Sequence, residues 1–287
     1  MIDIILISIV FLILVIGTYT DFKTREVPDW VNYSAIFAGL GIRLVYSLST
    51  FNWNYIIEGL LGFGVFLALA LVMFYLGQWG GGDSKMLMGI GALVGIPLNI
   101  SPDSLFVSFI VNGLIVGALY GLLWGGYLAI TNKKKFLPFV GKVVKTKNYK
   151  ITKIVLFALV GLLLLGSFLA DSAISMFFVA FALVLFVMFY SWLLLIAVEK
   201  TCLVKMVPVE KLTEGDWIVK DVVVAGKRIT GPKDLGVNQE QIKKLLKLKQ
   251  KGKIKKVLIK EGMPFVPVFL ISMIISVVWG NIVLFLI

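Results

Sequence analysis

The chain has 287 residues, of which 59% are hydrophobic and only 15% charged, and its mean hydropathy is +0.98. Soluble domains carry about 25% charged residues, so this composition excludes an ordinary soluble globular protein and indicates a polytopic membrane protein. The chain has no histidine and one cysteine, Cys202, which excludes a Ser-His-Asp triad, a Cys-His dyad, a histidine-ligated metal and a four-cysteine zinc site. The formal net charge is +12, which is large for a chain immersed mostly in lipid.

Long apolar runs recur from the first residues to the last. A membrane span needs about 20 mostly apolar residues. Eight runs approach or exceed that length, at 2–19, 31–49, 55–77, 84–100, 104–131, 154–170, 172–197 and 264–287. The first run lacks a basic n-region and a small-x-small cleavage site, so we interpret it as a mature helix rather than a signal peptide. The sequence therefore predicts an α-helical polytopic membrane protein with about eight transmembrane helices.

The basic residues predict the orientation of these spans, because Lys and Arg in short loops favour the cytoplasmic side. With eight spans, every Lys and Arg except Arg43 falls on the same face as Lys23 and Arg25. Without the run 84–100, the lysines at 133–135 would lie on the opposite face. We therefore predict a multi-pass protein of the cell membrane whose basic face is cytoplasmic and whose termini are both outside.

The segment 199–262 differs in kind from the apolar runs. It alternates apolar and polar residues over 217–224, has a turn at 225–227 and a second strand-like run at 256–260. This pattern predicts a small cytoplasmic α+β domain. The domain lacks an aromatic stacking motif, so its many lysines indicate a solvated face near anionic lipid headgroups rather than a nucleic-acid site.

A helix is predicted between these strands, over 238–251. Asn238 and Gln241 form a capping-box pattern at its start, apolar residues follow at helical spacing, and Gly252 fits its end.

The sequence thus divides into five parts. They are transmembrane helices with two Asp motifs over 1–131, a basic cytoplasmic loop over 132–153, an additional transmembrane hairpin over 154–197, the α+β domain over 199–262 and a C-terminal transmembrane helix over 264–287.

Two carboxylates at the predicted membrane edge stand out, because ionisable residues at membrane depth are costly and indicate function. Asp21 follows the first span, and Asp83 opens the fourth span after three glycines, Gly80, Gly81 and Gly82. Both are predicted at the cytoplasmic ends of helices, where they can meet. Two close carboxyls share a proton, which is the arrangement of an aspartic protease: one carboxylate takes a proton from water while the other acid binds the scissile carbonyl.

Simpler interpretations exist for each carboxylate taken alone. Asp21 can form a local ion pair with Lys23 or Arg25, and an Asp after a glycine turn is a common start of a helix. A phosphate-binding loop over 77–85 is excluded, because Asp-Ser-Lys stands where the motif requires Lys and then Ser or Thr.

Together, the two stretches resemble the type IV prepilin peptidase family. The similarity is to the archaeal preflagellin (archaellin) and prepilin peptidases of the GxGD membrane aspartyl protease class. The first family motif matches Asp21, Lys23, Arg25, Val27, Pro28 and Asp29, and the second matches Gly80, Gly82, Asp83 and Lys85. The resemblance covers residues 1–130 well. The additional hairpin at 154–197 departs from the six-span pattern of archaeal members.

The resemblance implies that Asp21 and Asp83 are the catalytic pair. It also implies removal of a short basic leader from pilin-like or archaellin precursors on the cytoplasmic side. Glu26 and Asp29 could bind the basic residues of such a leader, or they are solvated loop charges. Lys85 is expected to pair with a carboxylate or with a lipid headgroup. We expect peptidase activity only, with no metal or other cofactor and no nucleic-acid partner.

Two other functions remain open at this point. An ion-coupled transporter could use Asp21 and Asp83 as a proton relay, although the sequence shows no clear internal repeat. A membrane-anchored scaffold could present the segment 199–262 to a partner, in which case neither Asp would matter.

An ion pair is also predicted between Arg43 and Glu58, which flank a short outer loop.

Overall fold

The computed structural model describes residues 2–224, 226–234 and 236–286. Ala225, in the predicted turn, and Ile287, at the end of the predicted last span, lie outside the described residues. The helices are α1 (Ile2–Thr24), α2 (Asp29–Thr50), α3 (Asn54–Tyr75), α4 (Gly81–Val94), α5 (Leu105–Thr131), α6 (Lys133–Lys145), α7 (Lys147–Leu169), α8 (Ser172–Thr201), α9 (Gln239–Gln250), α10 (Val266–Val278) and α11 (Ile282–Leu286). The strands are β1 (Val204–Pro208), β2 (Trp217–Ile218), β3 (Val222–Val224), β4 (Lys227–Thr230) and β5 (Lys256–Lys260).

Among the described residues, six helices are long and apolar enough to cross a membrane: α1, α2, α3, α5, α7 and α8. Many of their large apolar side chains are exposed on the protein surface, as lipid-facing residues are. The protein is a multi-pass membrane protein with a small sheet region in its C-terminal part, which confirms the predicted fold class. The other two predicted spans form shorter helices, α4 with 14 residues and α10 with 13.

The predicted span 84–100 is wrong in its bounds. The helix α4 begins at Gly81 and ends at Val94. It stops there because Gly95 has a φ of +71°, a left-handed conformation that glycine adopts without strain, and Pro97 follows.

The predicted single helix over 264–287 is also wrong, because the chain breaks between α10 and α11. Gly280 has a φ of +71°, and its carbonyl accepts a hydrogen bond of 2.8 Å from Nδ2 of Asn112 on α5. Oδ1 of Asn112 accepts from the amide of Ile282, which starts α11. A buried side chain of α5 therefore binds both sides of the break.

The predicted basic loop over 132–153 is helical instead. It contains α6 and the first turns of α7, with Thr146 between them accepting a hydrogen bond from the amide of Tyr149. The apolar residues of this segment recur at helical spacing and pack together on one side, while the lysines face outward. The packed residues include Val140, Val143 and Val144 of α6 against Tyr149, Leu156, Phe189 and Leu193.

The chain forms two compact units, one made of residues 1–120 and 207–287 and the other of residues 121–206. The divisions fall inside α5 and inside β1. The first unit is therefore discontinuous in sequence, because its last part follows the whole of the second unit. All of the sequence-predicted site residues lie in the first unit.

In the first unit, α3 and α4 pack with their backbones in close approach. A methyl group on Gly62 would overlap the carbonyl oxygen of Gly91, and one on Gly91 would overlap the carbonyl oxygen of Gly62. Neither position can carry a side chain without moving backbone.

The opposite end of α4 from Asp83 is held by Arg43. Nη2 of Arg43 donates to the carbonyls of Leu93 and Val94 at 2.8 and 2.7 Å, and Nη1 donates to the carbonyl of Tyr55. These carbonyls at the end of α4 have no partner within the helix, so the guanidinium satisfies them. Nη1 also lies 3.8 Å from Oε2 of Glu58, which confirms the predicted ion pair.

The small sheet is built from short strands. In the first sheet the strand order is β1-β5-β2, and Trp217 and Ile218 pair antiparallel with Lys260 and Ile259. The predicted single strand over 217–224 is split, because the chain leaves β5 after Val219 and forms the separate hairpin β3-β4.

The predicted helix between the strands is confirmed as α9. Oδ1 of Asn238 accepts from the amide of Gln241 at 2.8 Å, and Oε1 of Gln241 accepts from the amide of Asn238 at 2.9 Å. Gly252, with a φ of +70°, follows its end. The helix covers the sheet through a small core that includes Val209, Ile218, Ile242, Leu245, Val257 and Ile259.

Candidate active site

Asp21 lies in the last turn of α1 and is 4% exposed. Its Oδ2 accepts a hydrogen bond of 3.0 Å from the backbone amide of Val266, the first residue of α10. The first amides of a helix have no partner within the helix and carry a partial positive charge, so they suit a buried carboxylate. The helix α1 ends at Thr24, three residues after Asp21: Arg25 has a φ of +62°, and its amide donates to the carbonyl of Asp21.

Asp83 lies in the first turn of α4 and is half-buried. Its Oδ2 accepts a hydrogen bond of 3.3 Å from the amide of Gly80, which immediately precedes the helix. An acidic residue in the first turn of a helix is stabilised by the partial positive charge of the first amides, as Asp21 is stabilised at the start of α10. Each of the two carboxyls is thus held by a backbone amide at the start of a helix.

The packing of α1 against α4 brings the two carboxyls together. One turn before Asp21, a methyl group on Gly17 would lie 2.6 Å from Cε of Met86, which is one turn after Asp83. Two motifs that are far apart in the sequence therefore meet at one place.

The last glycine before Asp83 accommodates the protein's own backbone. A methyl group on Gly82 would lie 3.1 Å from the amide nitrogen of Val27, whereas on Gly81 the nearest atom would be a ring carbon of Phe74 at 4.0 Å. Val27 is buried and belongs to the stretch that joins α1 to α2. The missing side chain of Gly82 thus permits close contact between the two motifs.

A second link between the motifs is an ion pair. Nζ of Lys85 donates to Oδ1 of Asp29 at 2.6 Å, and the same ammonium lies 5.4 Å from the ring centroid of Tyr33. Asp29 is the first residue of α2 and Lys85 lies two positions after Asp83, so the pair joins the start of α2 to the start of α4. Of the two partners considered for Lys85, a carboxylate is the one found.

Comparison with known proteins shows what this part of the chain is similar to. Residues 8–125 match the Type IV leader peptidase family. The match contains both Asp motifs and agrees with the family resemblance found in the sequence. We call residues 8–125 the leader-peptidase region.

Three curated relatives are named preflagellin peptidase. The protein from Methanocaldococcus jannaschii is 40% identical over 81 residues, covering 28% of this chain and 34% of the relative. The protein from Methanococcus maripaludis is 28% identical over 158 residues, covering 49% of this chain and 68% of the relative. The protein from Methanococcus voltae is 36% identical over 81 residues, covering 28% of this chain and 34% of the relative. The chain thus spans only about a third of the length of two of these relatives.

The remaining motif residues of the leader-peptidase region lie around the two carboxyls. Lys23 and Glu26 are exposed, and Nζ of Lys23 lies 5.6 Å from the ring centroid of Tyr19. Arg25 is exposed and makes the turn that ends α1. Pro28 precedes the first residue of α2, with a φ of −58° that suits the start of a helix.

Sequence reasoning missed three residues near the site. The amide of Val266 comes from outside the leader-peptidase region, and a backbone donor leaves no sequence signal. Asn32 is fully buried on α2, and its Nδ2 donates to the carbonyl of Gly82 at 3.5 Å. Tyr120 of α5 lies within electrostatic reach of Asp21 and Arg25. A buried Asn and a Tyr within apolar runs were the available signals for the last two.

Proposed function

We propose that this chain is a membrane aspartyl endopeptidase of the GxGD type that removes the short basic leader peptide of type IV pilin-like or archaellin precursors. One observation carries the proposal: Asp21 and Asp83, from the two motifs of the leader-peptidase region, lie at adjacent ends of α1 and α4, where a methyl group on Gly17 would lie 2.6 Å from Cε of Met86. Preflagellin peptidase is the name of the three relatives, and an archaellin precursor is accordingly the first substrate to test.

The proposed reaction uses the two carboxyls with one shared proton. The ionised carboxylate takes a proton from a water molecule, and the water oxygen attacks the scissile carbonyl carbon. The protonated carboxyl donates its proton to the carbonyl oxygen, which gives a neutral tetrahedral intermediate. When the C–N bond breaks, the amine nitrogen takes the proton that came from water, and a hydroxyl of the intermediate gives its proton to the other carboxylate. The products are a carboxylic acid and an amine, and the pair again holds one proton.

The surroundings of the pair fit a basic leader that ends at the membrane surface. Glu26 is an exposed acidic residue beside the site, and it is the group we assign to bind basic leader residues. Asp29 contributes less, because it is already paired with Lys85. We infer a cytoplasmic site and a cytoplasmic segment 199–262 from the charge pattern: the eight-span interpretation of the sequence assigns every Lys and Arg except Arg43 to the face of Lys23 and Arg25.

The other two hypotheses gain no support. The relatives and the matched family are peptidases, and none is named as a transporter or a scaffold.

The test is incubation of the purified full chain in detergent or nanodiscs with an archaellin or pilin-like precursor. Asp21→Asn and Asp83→Asn are each expected to lower cleavage by about 10³-fold or more, since each removes a group that carries a proton in the transition state. Asp103→Asn, an exposed Asp between α4 and α5, is the matched control and should cleave like the wild type. Wild-type cleavage by either catalytic variant would refute the proposal.

The pH profile offers a second readout. Interacting carboxyls titrate as a pair and hold one proton over an intermediate range of pH. The cleavage rate is therefore expected to fall at low pH, where both carboxyls are protonated, and at high pH, where both are ionised. A rate that stays constant well above neutrality contradicts a shared proton.

A further inference from the structure

The small sheet and the helix that follows it contact both halves of the candidate site. On one side, the amide of Val266 at the start of α10 binds Asp21. On the other side, the ring of Trp217 on β2 lies against Gly77, in the linker between α3 and α4: a methyl group on Gly77 would lie 3.2 Å from Cη2 and 3.4 Å from Cζ3 of that ring. Gly77 stands three positions before the Gly80–Asp83 stretch.

The same linker has a second aromatic contact, also with the C-terminal part of the chain. The ring of Trp79 lies against the rings of Phe265 and Phe269, with centroid distances of 5.3 and 5.6 Å. Phe265 directly precedes Val266. The linker is therefore in contact with Trp217 through Gly77 and with Phe265 through Trp79.

These two contacts are connected through one short stretch of backbone. Trp217 pairs with Lys260 at the end of β5, and only five residues separate Lys260 from Val266. β2 and β5 are thus connected both to the linker that leads to Asp83 and to the amide that binds Asp21.

We propose that Trp217 is a positioning residue of the peptidase, which holds the linker and the Asp83 that follows it at the distance from Asp21 that catalysis requires. This inference rests on the proposed function, and it assigns to the segment 199–262 the role of fixing the geometry of the active site. Trp217 acts through Gly77 and does not touch the reacting atoms. A large, rigid aromatic ring suits this role, because it fills the contact with little conformational freedom.

The kinetic test compares Trp217→Ala with Trp217→Phe on the same precursor. Misplacement of a catalytic group by about 1 Å costs up to about 10²-fold in rate. Trp217→Ala is expected to lower kcat by about 10- to 100-fold with KM changed by less than about 3-fold, since the substrate contacts remain. Trp217→Phe, which retains a ring, should restore most of kcat. Trp53→Ala, an exposed Trp at the other end of α3, should leave both constants unchanged.

A glycine pair tests the contact from the other side. Gly77 has a φ of +67° and Gly252 a φ of +70°, so replacing either with Ala strains the backbone in the same way. The new methyl group contacts Trp217 at position 77, whereas at position 252 it points into open space. Only Gly77→Ala is expected to lower kcat.

A distance measurement makes the inference independent of the substrate. Spin labels at Thr24 and Gln78, both exposed, report the distance between the end of α1 and the linker, and the native Cys202 is buried. Trp217→Ala is expected to broaden or shift the distance distribution relative to the wild type, and Trp217→Phe should restore it. If the wild type cleaves no precursor, the proposed function fails and this measurement still reads the positioning role. An unchanged distribution together with an unchanged kcat in Trp217→Ala overturns the inference.

Discussion

The backbone amide of Val266 donates a hydrogen bond to Oδ2 of Asp21 across a separation of 245 residues. No side-chain substitution at position 266 short of proline removes this donor, so the sequence at that position is free to vary while the contact persists. The orientation of Asp21 therefore depends on where the backbone lies after β5, at the start of α10. The position of α10 matters for the candidate site although α10 lies outside the leader-peptidase region.

Gly82→Ala is expected to lower cleavage, whereas Gly81→Ala is expected to be tolerated. The new methyl group at 82 would press on the Val27 amide at 3.1 Å and move the two motifs apart, but at 81 it meets only a ring carbon at 4.0 Å. We expect a loss of about 10-fold or more in kcat/KM for Gly82→Ala. Kinetics of the two variants on one precursor check this, and equal rates would show that the close contact at Gly82 has no catalytic importance.

The pair Lys85–Asp29 is expected to act as one unit. The Asp29 side chain is 63% exposed and the Lys85 side chain is 32% exposed, so the pair contributes at most about 1 kcal/mol to stability. Asp29→Asn and Lys85→Gln should each lower kcat/KM by about 3- to 5-fold, and the double variant should lose no more than either single variant. Additive losses would instead mean that Lys85 acts on its own, for example on substrate. Lys243→Gln, on the exposed side of α9, is the control.

Arg43→Met is expected to destabilise the protein by about 3 kcal/mol or more. It leaves the carbonyls of Leu93, Val94 and Tyr55 and the carboxylate of Glu58 without their buried partner. Arg43→Lys keeps the positive charge but lacks the planar guanidinium group. Its stability is therefore expected to lie between that of Arg43→Met and that of the wild type. Unfolding in detergent measures the order, and wild-type stability of Arg43→Met would contradict the role given to this residue.

The hairpin β3-β4 is expected to lose stability in acid through Asp234. Burial raises the pKa of the Asp234 carboxyl, but hydrogen bonds from the Arg228 guanidinium and the Gly231 amide outweigh it and lower that pKa. A lowered folded-state pKa stabilises the fold above the unfolded value of about 3.9, and this contribution is lost as the pH falls through the folded-state pKa.

Hydrogen exchange of residues 227–234 in the full chain measures this effect. Asp234→Asn should exchange faster than the wild type at pH 7, and the difference should shrink as both are brought below about pH 3.9. Glu214→Gln, an exposed acidic residue outside the hairpin, should match the wild type at both pH values. A difference that persists in acid would show that the carboxylate charge is not its cause.

Local and electrostatic features of the structure could be predicted from the sequence. The ion pair of Arg43 with Glu58 followed from two opposite charges that flank one short loop, and α9 followed from the Asn238–Gln241 capping box. The helical membrane fold followed from the length of the apolar runs. In these cases the signal and the interaction lie within the same short stretch of chain.

Other features depend on partners that the local sequence does not reveal. Asn112 of α5 binds the break at Gly280, and Arg43 of α2 binds the end of α4. Predictions from the lengths of the apolar runs were therefore wrong at both helix ends. The helix α6 was not predicted, because lysines dominate the segment 133–145 and its apolar face packs only against α7 and α8. Val266 reaches the site through its backbone amide and Asn32 through an interhelical contact, and neither contact could be predicted from the local sequence.

The discontinuity of the first unit has a consequence for biosynthesis. Residues 1–120 emerge from the ribosome with both carboxyls, but Trp217, Phe265 and Val266 follow only after the whole of the second unit has been made. The contacts that hold Asp21 and the linker before Asp83 thus form last, when α10 reaches the bundle. A nascent chain is unable to complete these contacts before it has been synthesised as far as Val266.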